Sequence, residues 1–472
     1  MFQIGAFRWC GAVLAATLIS FALPTSVANA TTGPSGTWYW DALKIQAAHD
    51  AGFTGKGVTI AIIDSTFNPS VPTLQDANIV VPPSQCWDEQ GKRIPATSTS
   101  LDPAGFNAFH GTNVASLIVG SGAGYPGQAG VRGVAPGAKL LYYSGNPVNG
   151  KSVCLTEKGE STLSSHMELD ITDAIGRGAD IIAMSLGGNS SFPIAHAIAK
   201  GQNAGVIFVI AYPNTRAQEV EGQAALALSN GAITVGSTDS AGSVSSLDGD
   251  FNLGYSEAVD VVGPGVSILA QGSQTGGWQE QVMANGTSMA TPIVASFLAL
   301  TKQKYPNAKS NQLIQTLLRN TGIGSHDLIF DRTNGHGYGI VSLTSMLSAD
   351  PTEYPDLNPL IEQGANVMPP AWLIKKPISL KEFRASLGAE PSASATPPSS
   401  ARSKSSSNSV TKSEVPLRII GLLLGTSIVL FGGLAVLLLQ IKKRRRPPSN
   451  IDRAQILFSD IRSTEVRDDE KI

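Results

Sequence analysis

Five short apolar runs constrain the fold more than any other feature of this chain. They are GVTIAIID (57–64), AKLLYYS (138–144), ADIIAMSLGG (179–188), GVIFVIA (205–211) and AITVGST (232–238). Each is apolar over most of its length instead of alternating, the pattern of strands covered on both faces of a parallel sheet. Amphipathic stretches separate them, such as MELDITDAIGRG (167–178) before the third run and IAHAIAKGQNAG (194–205) before the fourth. Strands alternating with helices predict an α/β domain with a mostly parallel central sheet and helices on both faces. Charge is nearly balanced, 34 Lys and Arg against 36 Asp and Glu, so bulk electrostatics do not point to nucleic acid.

The two ends of the chain are of a different kind. Residues 1–30 carry Arg8, an apolar run and a small-x-small pattern, Ala28-Asn29-Ala30, and read as a secretory signal peptide. Residues 419–441 are 23 uncharged, mostly apolar residues followed by Lys442-Lys443-Arg444-Arg445-Arg446. That length suffices to span a bilayer as a helix, and the basic flank belongs on the cytoplasmic side. The chain is therefore expected to sit in the cell membrane by one C-terminal transmembrane helix. Residues 31–350 form the extracytoplasmic α/β domain, 351–388 an extension packed at its edge, 389–416 a Ser/Pro/Ala-rich linker, and 442–472 a cytoplasmic tail. With Cys10 removed alongside the signal, Cys86 and Cys154 remain, an even count in an oxidising compartment, which suggests a disulfide. The six His are scattered and neither remaining Cys sits in a ligand-spaced pair, so no metal or cofactor is expected.

Three segments carry chemistry. The first run ends at Asp64; HGTNVASLIVG (110–120) starts a helix at His110; NGTSMATPIVASFLAL (285–300) places Ser288 between a Gly-Thr turn and a helix. Taken singly, each residue reads more readily as a turn or helix cap. Together they supply a nucleophile, a base and an orienting carboxylate. Their order along the chain, Asp then His then Ser, is that of the subtilisin triad. Ser288 at a helix N-terminus lies where backbone N–H groups favour a developing oxyanion. Pro292 falls early in that helix, where a missing N–H is tolerated.

HGTNVA and GTSMATP (286–292) resemble signature motifs of the subtilisin-like serine proteases, the subtilases. VRGVAPGAKL (131–140), MSLGG (184–188) and VDVVGPGVSILA (259–270) agree, and the resemblance covers roughly residues 40–348. It implies a subtilisin-like three-layer fold and peptide-bond hydrolysis through an acyl-enzyme. On that model Ser288 attacks, His110 moves the proton and Asp64 orients His110. It also implies that an extended substrate lies beside Ser185 and Gly187 and that Asn214 donates to the oxyanion. Two positions depart from the family pattern: Thr66 stands where Gly is usual after the Asp, and Pro213 replaces Gly before Asn214. Either departure bears on geometry, since a β-branched residue resists positive φ and Pro restricts its neighbour.

The order of segments resembles one branch of that family, the mycosins, membrane-anchored subtilases associated with type VII secretion systems. A signal, no room for a full prodomain, a peptidase domain, a Pro/Ser-rich spacer, a membrane helix and a basic stop carry the likeness. GHGYGIVSLTSMLSADP (335–351) adds to it. That branch implies secreted protein substrates and a membrane secretion complex as partners. A protease-like scaffold with little or no catalysis is the competing expectation.

Overall fold

The computed structural model describes residues 36–388, apart from 104–106, 145–154, 156–162, 216–217, 220, 245–257, 332 and 365–366. The expected signal segment, linker, membrane helix and tail all lie outside the described residues. Among the described residues, no helix is long and apolar enough to cross a membrane.

In chain order the elements begin with α1 (Trp38–Ala42), α2 (Ile45–Asp50), β1 (Thr59–Asp64) and β2 (Ile79–Val80). They continue through α3 (Phe109–Val119), the short pair β3 (Ser121–Ala123) and β4 (Ala129–Arg132), β5 (Lys139–Ser144), α4 (Leu163–Gly176) and β6 (Ile181–Met184). Next come α5 (Phe192–Asn203), β7 (Ile207–Ala211), β8 (Ile233–Thr238), β9 (Val261–Pro264) and the hairpin β10 (Ile268–Ser273) with β11 (Gly277–Ala284). The domain closes with α6 (Thr287–Lys304), α7 (Ser310–Arg319), α8 (Leu343–Ser348), α9 (Ala371–Lys375) and α10 (Leu380–Gly388). All five apolar runs became strands, and both amphipathic stretches became helices, α4 and α5.

Seven strands form one sheet in the order β2-β5-β1-β6-β7-β8-β9, and every pairing in it is parallel. Alternate residues of each strand feed two separate cores, as a period of two demands. Ile60, Ile62, Leu140, Tyr142, Ile181 and Val209 face α3 and α6. Ala61, Ile63, Leu141, Ile182, Phe208 and Ile210 face α4 and α5. The outcome is a three-layer α/β fold. Helix α6 is buried along most of its length, with Ala290, Ile293, Val294, Phe297 and Leu298 inaccessible to solvent. Its cover comes from the sheet on one side and from α3 and α7 around it.

The segment after α8 packs back onto this domain. Leu373, Ile374 and Phe383 bury against Ala199 of α5. Asn230 holds the segment by its main chain: the Asn230 N–H donates to Met368 O, and Nδ2 donates to Glu362 O and Pro369 O. Its Oδ1 accepts from the Glu362 N–H at 2.7 Å.

Asp260, just before β9, accepts the Thr234 N–H at 2.8 Å and so ties β9 to β8. Burial pushes its carboxyl up to about 7, with the Thr234 hydrogen bonds pulling it down and the Glu362 charge adding to the rise. A carboxyl raised on folding binds its proton more tightly in the native state than in the unfolded one. Its contribution is therefore complete below the ordinary carboxylate range and is lost as pH rises toward 7. Asp260→Asn keeps the acceptor for Thr234 and removes the titration. Urea unfolding at about pH 5 and about pH 8 should show the wild type losing more stability across that interval than the variant.

Candidate active site

The carboxyl ends of parallel strands share one edge of a sheet, and in open α/β folds that edge is where ligands bind. Asp64 is the last residue of β1, Ser185 follows β6 directly, and Asn214 lies just beyond β7. His110 and Ser288 sit at the second position of α3 and α6 respectively.

Asp64 is 1% exposed. Its Oδ1 accepts from His110 Nδ1 at 2.7 Å and from the Ser65 N–H at 2.7 Å. A carboxylate can only accept, so the His110 proton resides on Nδ1 and Nε2 is left as the basic nitrogen. The His110 side chain is 39% exposed, open to a reactant from outside. Desolvation draws its pKa down, but the Asp64 charge and hydrogen bond outweigh it, so the imidazole is raised above its ordinary value.

The turn after Asp64 is sewn to α3. The Gly111 N–H donates to Ser65 Oγ at 3.1 Å, the Asn68 N–H donates to Thr112 Oγ1 at 2.8 Å, and Tyr142 Oη donates to Ser65 O at 2.7 Å. Thr66 is buried in this turn, and its backbone is not among the positive-φ residues. Thr66 therefore requires no glycine conformation, and with threonine in that place Asp64 still meets His110 Nδ1 at 2.7 Å. The close approach is made by Gly111 instead: a Cβ there would lie 2.6 Å from Thr66 O and 2.9 Å from Ser65 O. The three letters HGT thus have separate tasks, a ring for Asp64, a gap for the turn and a hydroxyl that anchors the loop. Sequence reasoning missed Ser65, although a serine directly after a strand-end Asp is a signal for such a local hydrogen bond.

Around Ser288 the Gly286-Thr287 pair does comparable work. Gly286 has φ 139°, a conformation that suits glycine, and a Cβ there would meet the Asn214 amide at 3.0 Å. Asn214 Oδ1 accepts the Thr287 N–H at 2.8 Å and so caps α6 from outside. That contact leaves Nδ2 as the free donor end of the amide, and Pro213 has not turned Asn214 away. The Asn214 N–H is held by Gln218 Oε1 at 3.0 Å. In the first turn of a helix the N–H groups lack intrahelical acceptors, which leaves that of Ser288 available. The Ser288 hydroxyl donates to Ser185 O at 3.0 Å. Gly187 is exposed two residues along, while Gly188 is paired with the next loop, donating to Gln223 O and accepting from the Leu226 N–H.

Pro292 is not in the first turn, as the sequence suggested, but at the sixth residue of α6. Cys86 is fully buried, and Cys154 lies outside the described residues. Among the described residues, no three His, Cys, Asp or Glu side chains gather as metal ligands would. Chemically, the edge offers an imidazole oriented by a buried carboxylate, a serine at a helix N-terminus, and a side-chain amide beside it.

Gly111→Ala tests the close approach. It should destabilise the domain by about 1–3 kcal/mol, read as a lower urea midpoint, and the His110 titration followed by NMR should move down toward the ordinary imidazole value as Asp64 is pushed away.

The chain matches the family model of the subtilase family over residues 55–339, more than half its length. It is 32% identical over 308 residues to subtilisin BL of Lederbergia lenta, covering 64% of this chain and 96% of that one. It is 31% identical over 313 residues to the M-protease of Shouchella clausii strain KSM-K16, covering 66% and 70%. The crystal structure of fervidolysin from Fervidobacterium pennivorans superposes with a TM-score of 0.50 at 24% identity, over 66% of this chain and 45% of that one, a likeness of fold. The motifs around Asp64, His110 and Ser288 all fall inside the matched span, and the chain belongs to the subtilase family.

Proposed function

We propose that Ser288, His110 and Asp64 carry the serine endopeptidase activity of this subtilase. The observation that carries the reading is the 2.7 Å contact between His110 Nδ1 and the buried Asp64 carboxylate, which leaves Nε2 as the base. In the reaction the Ser288 hydroxyl leaves Ser185 O, gives its proton to His110 Nε2 and attacks the scissile carbonyl carbon. The negative charge that develops on the carbonyl oxygen is met by the Ser288 N–H and Asn214 Nδ2. His110 then returns its proton to the departing amine, leaving an acyl-enzyme. Water, deprotonated by the same imidazole, releases the second product. Asp64 keeps the imidazole in the required tautomer and stabilises its charged form. The substrate lies extended beside Ser185 and Gly187, pairing through its main chain.

The finer reading is a mycosin-like protease on the extracytoplasmic side of the cell membrane, with residues 1–30 as signal, 419–441 as anchor and the basic residues 442–446 inside. Secreted proteins are its substrates, and a type VII secretion complex is its partner. A Cys86–Cys154 disulfide fits that compartment; the mutual hydrogen bonds between Trp87 and Leu155, both 2.9 Å, bring the two flanking segments together. The scaffold alternative requires Thr66 or Pro213 to disturb the site. Neither takes a partner from Asp64 or Asn214, so catalysis is the better reading.

A fluorophosphonate probe should label the full-length protein, and Ser288→Ala should abolish labelling and lower peptide hydrolysis by about 10⁴-fold or more. Absence of labelling in folded wild-type protein overturns the catalytic reading. Full-length protein should remain in membranes through carbonate extraction, and removal of 419–441 should release it. A pull-down from those membranes should recover secretion-complex components, and their absence removes the mycosin assignment.

A further inference from the structure

Two hydrogen bonds join Ser185 to Ser288, and they run in opposite directions. The Ser288 hydroxyl donates to Ser185 O at 3.0 Å, and the Ser185 hydroxyl donates to Ser288 O at 3.0 Å. Pro292 explains the second. In an α-helix the carbonyl of residue 288 would accept the N–H of residue 292, four positions on. Proline has no N–H, so this carbonyl, one turn inside a buried helix, has no intrahelical donor at its ordinary site. Its neighbours are covered: Met289 and Ala290 are buried, and Ser185 itself is 2% exposed. A carbonyl without a donor tilts outward and bends its helix at that point. Here it would tilt at the residue that bears the attacking hydroxyl.

We propose that Ser185 is a positioning residue for Ser288, its hydroxyl replacing the backbone N–H that Pro292 lacks and so fixing the main chain of the nucleophile against the end of β6. This rests on the assignment of Ser288 as the nucleophile. The role is separate from the main-chain pairing of Ser185 with substrate, because it belongs to the side chain. It also gives Pro292 and Ser185 a mutual dependence: a proline at 292 is compatible with an ordered Ser288 because a hydroxyl follows β6.

The test is a double-mutant cycle in the full-length protein, with kcat and KM for a peptide substrate normalised to the fraction labelled by the fluorophosphonate. Ser185→Ala alone should lower kcat by about 10- to 100-fold with little change in KM, as a small misplacement of a reacting group does. In a Pro292→Ala background an N–H is restored at 292, and the same Ser185→Ala change should cost less than about 3-fold. An equal cost in both backgrounds overturns the proposal. If Ser185→Ala alone does not fold, a loss above about 10-fold on adding it to Pro292→Ala overturns the proposal equally, and a loss below about 3-fold supports it. Failure of the underlying assignment reads differently: the probe then fails on the wild type, or still labels Ser288→Ala.

Discussion

Helix α3 can deliver an imidazole to the end of β1 because Gly111 puts no side chain of its own between them. At Gly111 the helix backbone runs against the carbonyls of Ser65 and Thr66, closer than any Cβ allows. That approach brings the ring to Asp64 and the Gly111 N–H to the Ser65 hydroxyl, which donates in turn to Asp64 Oδ1 at 3.2 Å. The carboxylate is thus held by two residues from two elements, buried and aimed. A base poised by a fixed carboxylate is the element of this site that cannot be improvised from solvent-exposed groups, because in water its orientation would not persist.

The rest of the edge is organised by a buried helix with an unusual entrance. Helix α6 starts at a glycine that brings no capping side chain, and its cap comes from Asn214 on the far side of β7. The same amide thus stiffens the start of α6 through its oxygen, leaving its Nδ2 out of that contact. Thr287 adds a hydroxyl contact to Tyr212 O, so the end of β7 and the start of α6 are tied twice. Together with Ser185 on β6, three consecutive strand ends, from β1 through β6 to β7, are bound to two helix N-termini. Parallel topology makes this economical, since each of those strand ends emerges on the same side.

Much of this was legible in the residues. The apolar runs were long enough and continuous enough to mark doubly covered strands, and the motifs around Asp64, His110 and Ser288 located the site. The two-residue strand β2 was not legible because so short a strand carries no pattern, nor was β11, whose partly exposed residues do not alternate. The effect of Thr66 stays open in the sequence because a glycine position can mark either special backbone or close approach; here the turn avoids positive φ and the space is provided by Gly111. The side-chain contacts of Ser65, Thr287 and Ser185 could not be read either, since each depends on a partner far away or on a neighbour's orientation that only folding sets. Nor does the sequence show that Pro292 lies past the first turn of α6, where it strands the Ser288 carbonyl.

The grip on the C-terminal segment has its own character. Asn230 meets residues 362, 368 and 369 through four hydrogen bonds, and every one of them ends on a main-chain atom. Such a clasp recognises the path of the chain, not its letters. The side chains that this stretch turns outward are thereby left open to drift or to take on new contacts, while the segment itself stays fastened at the same point on the domain.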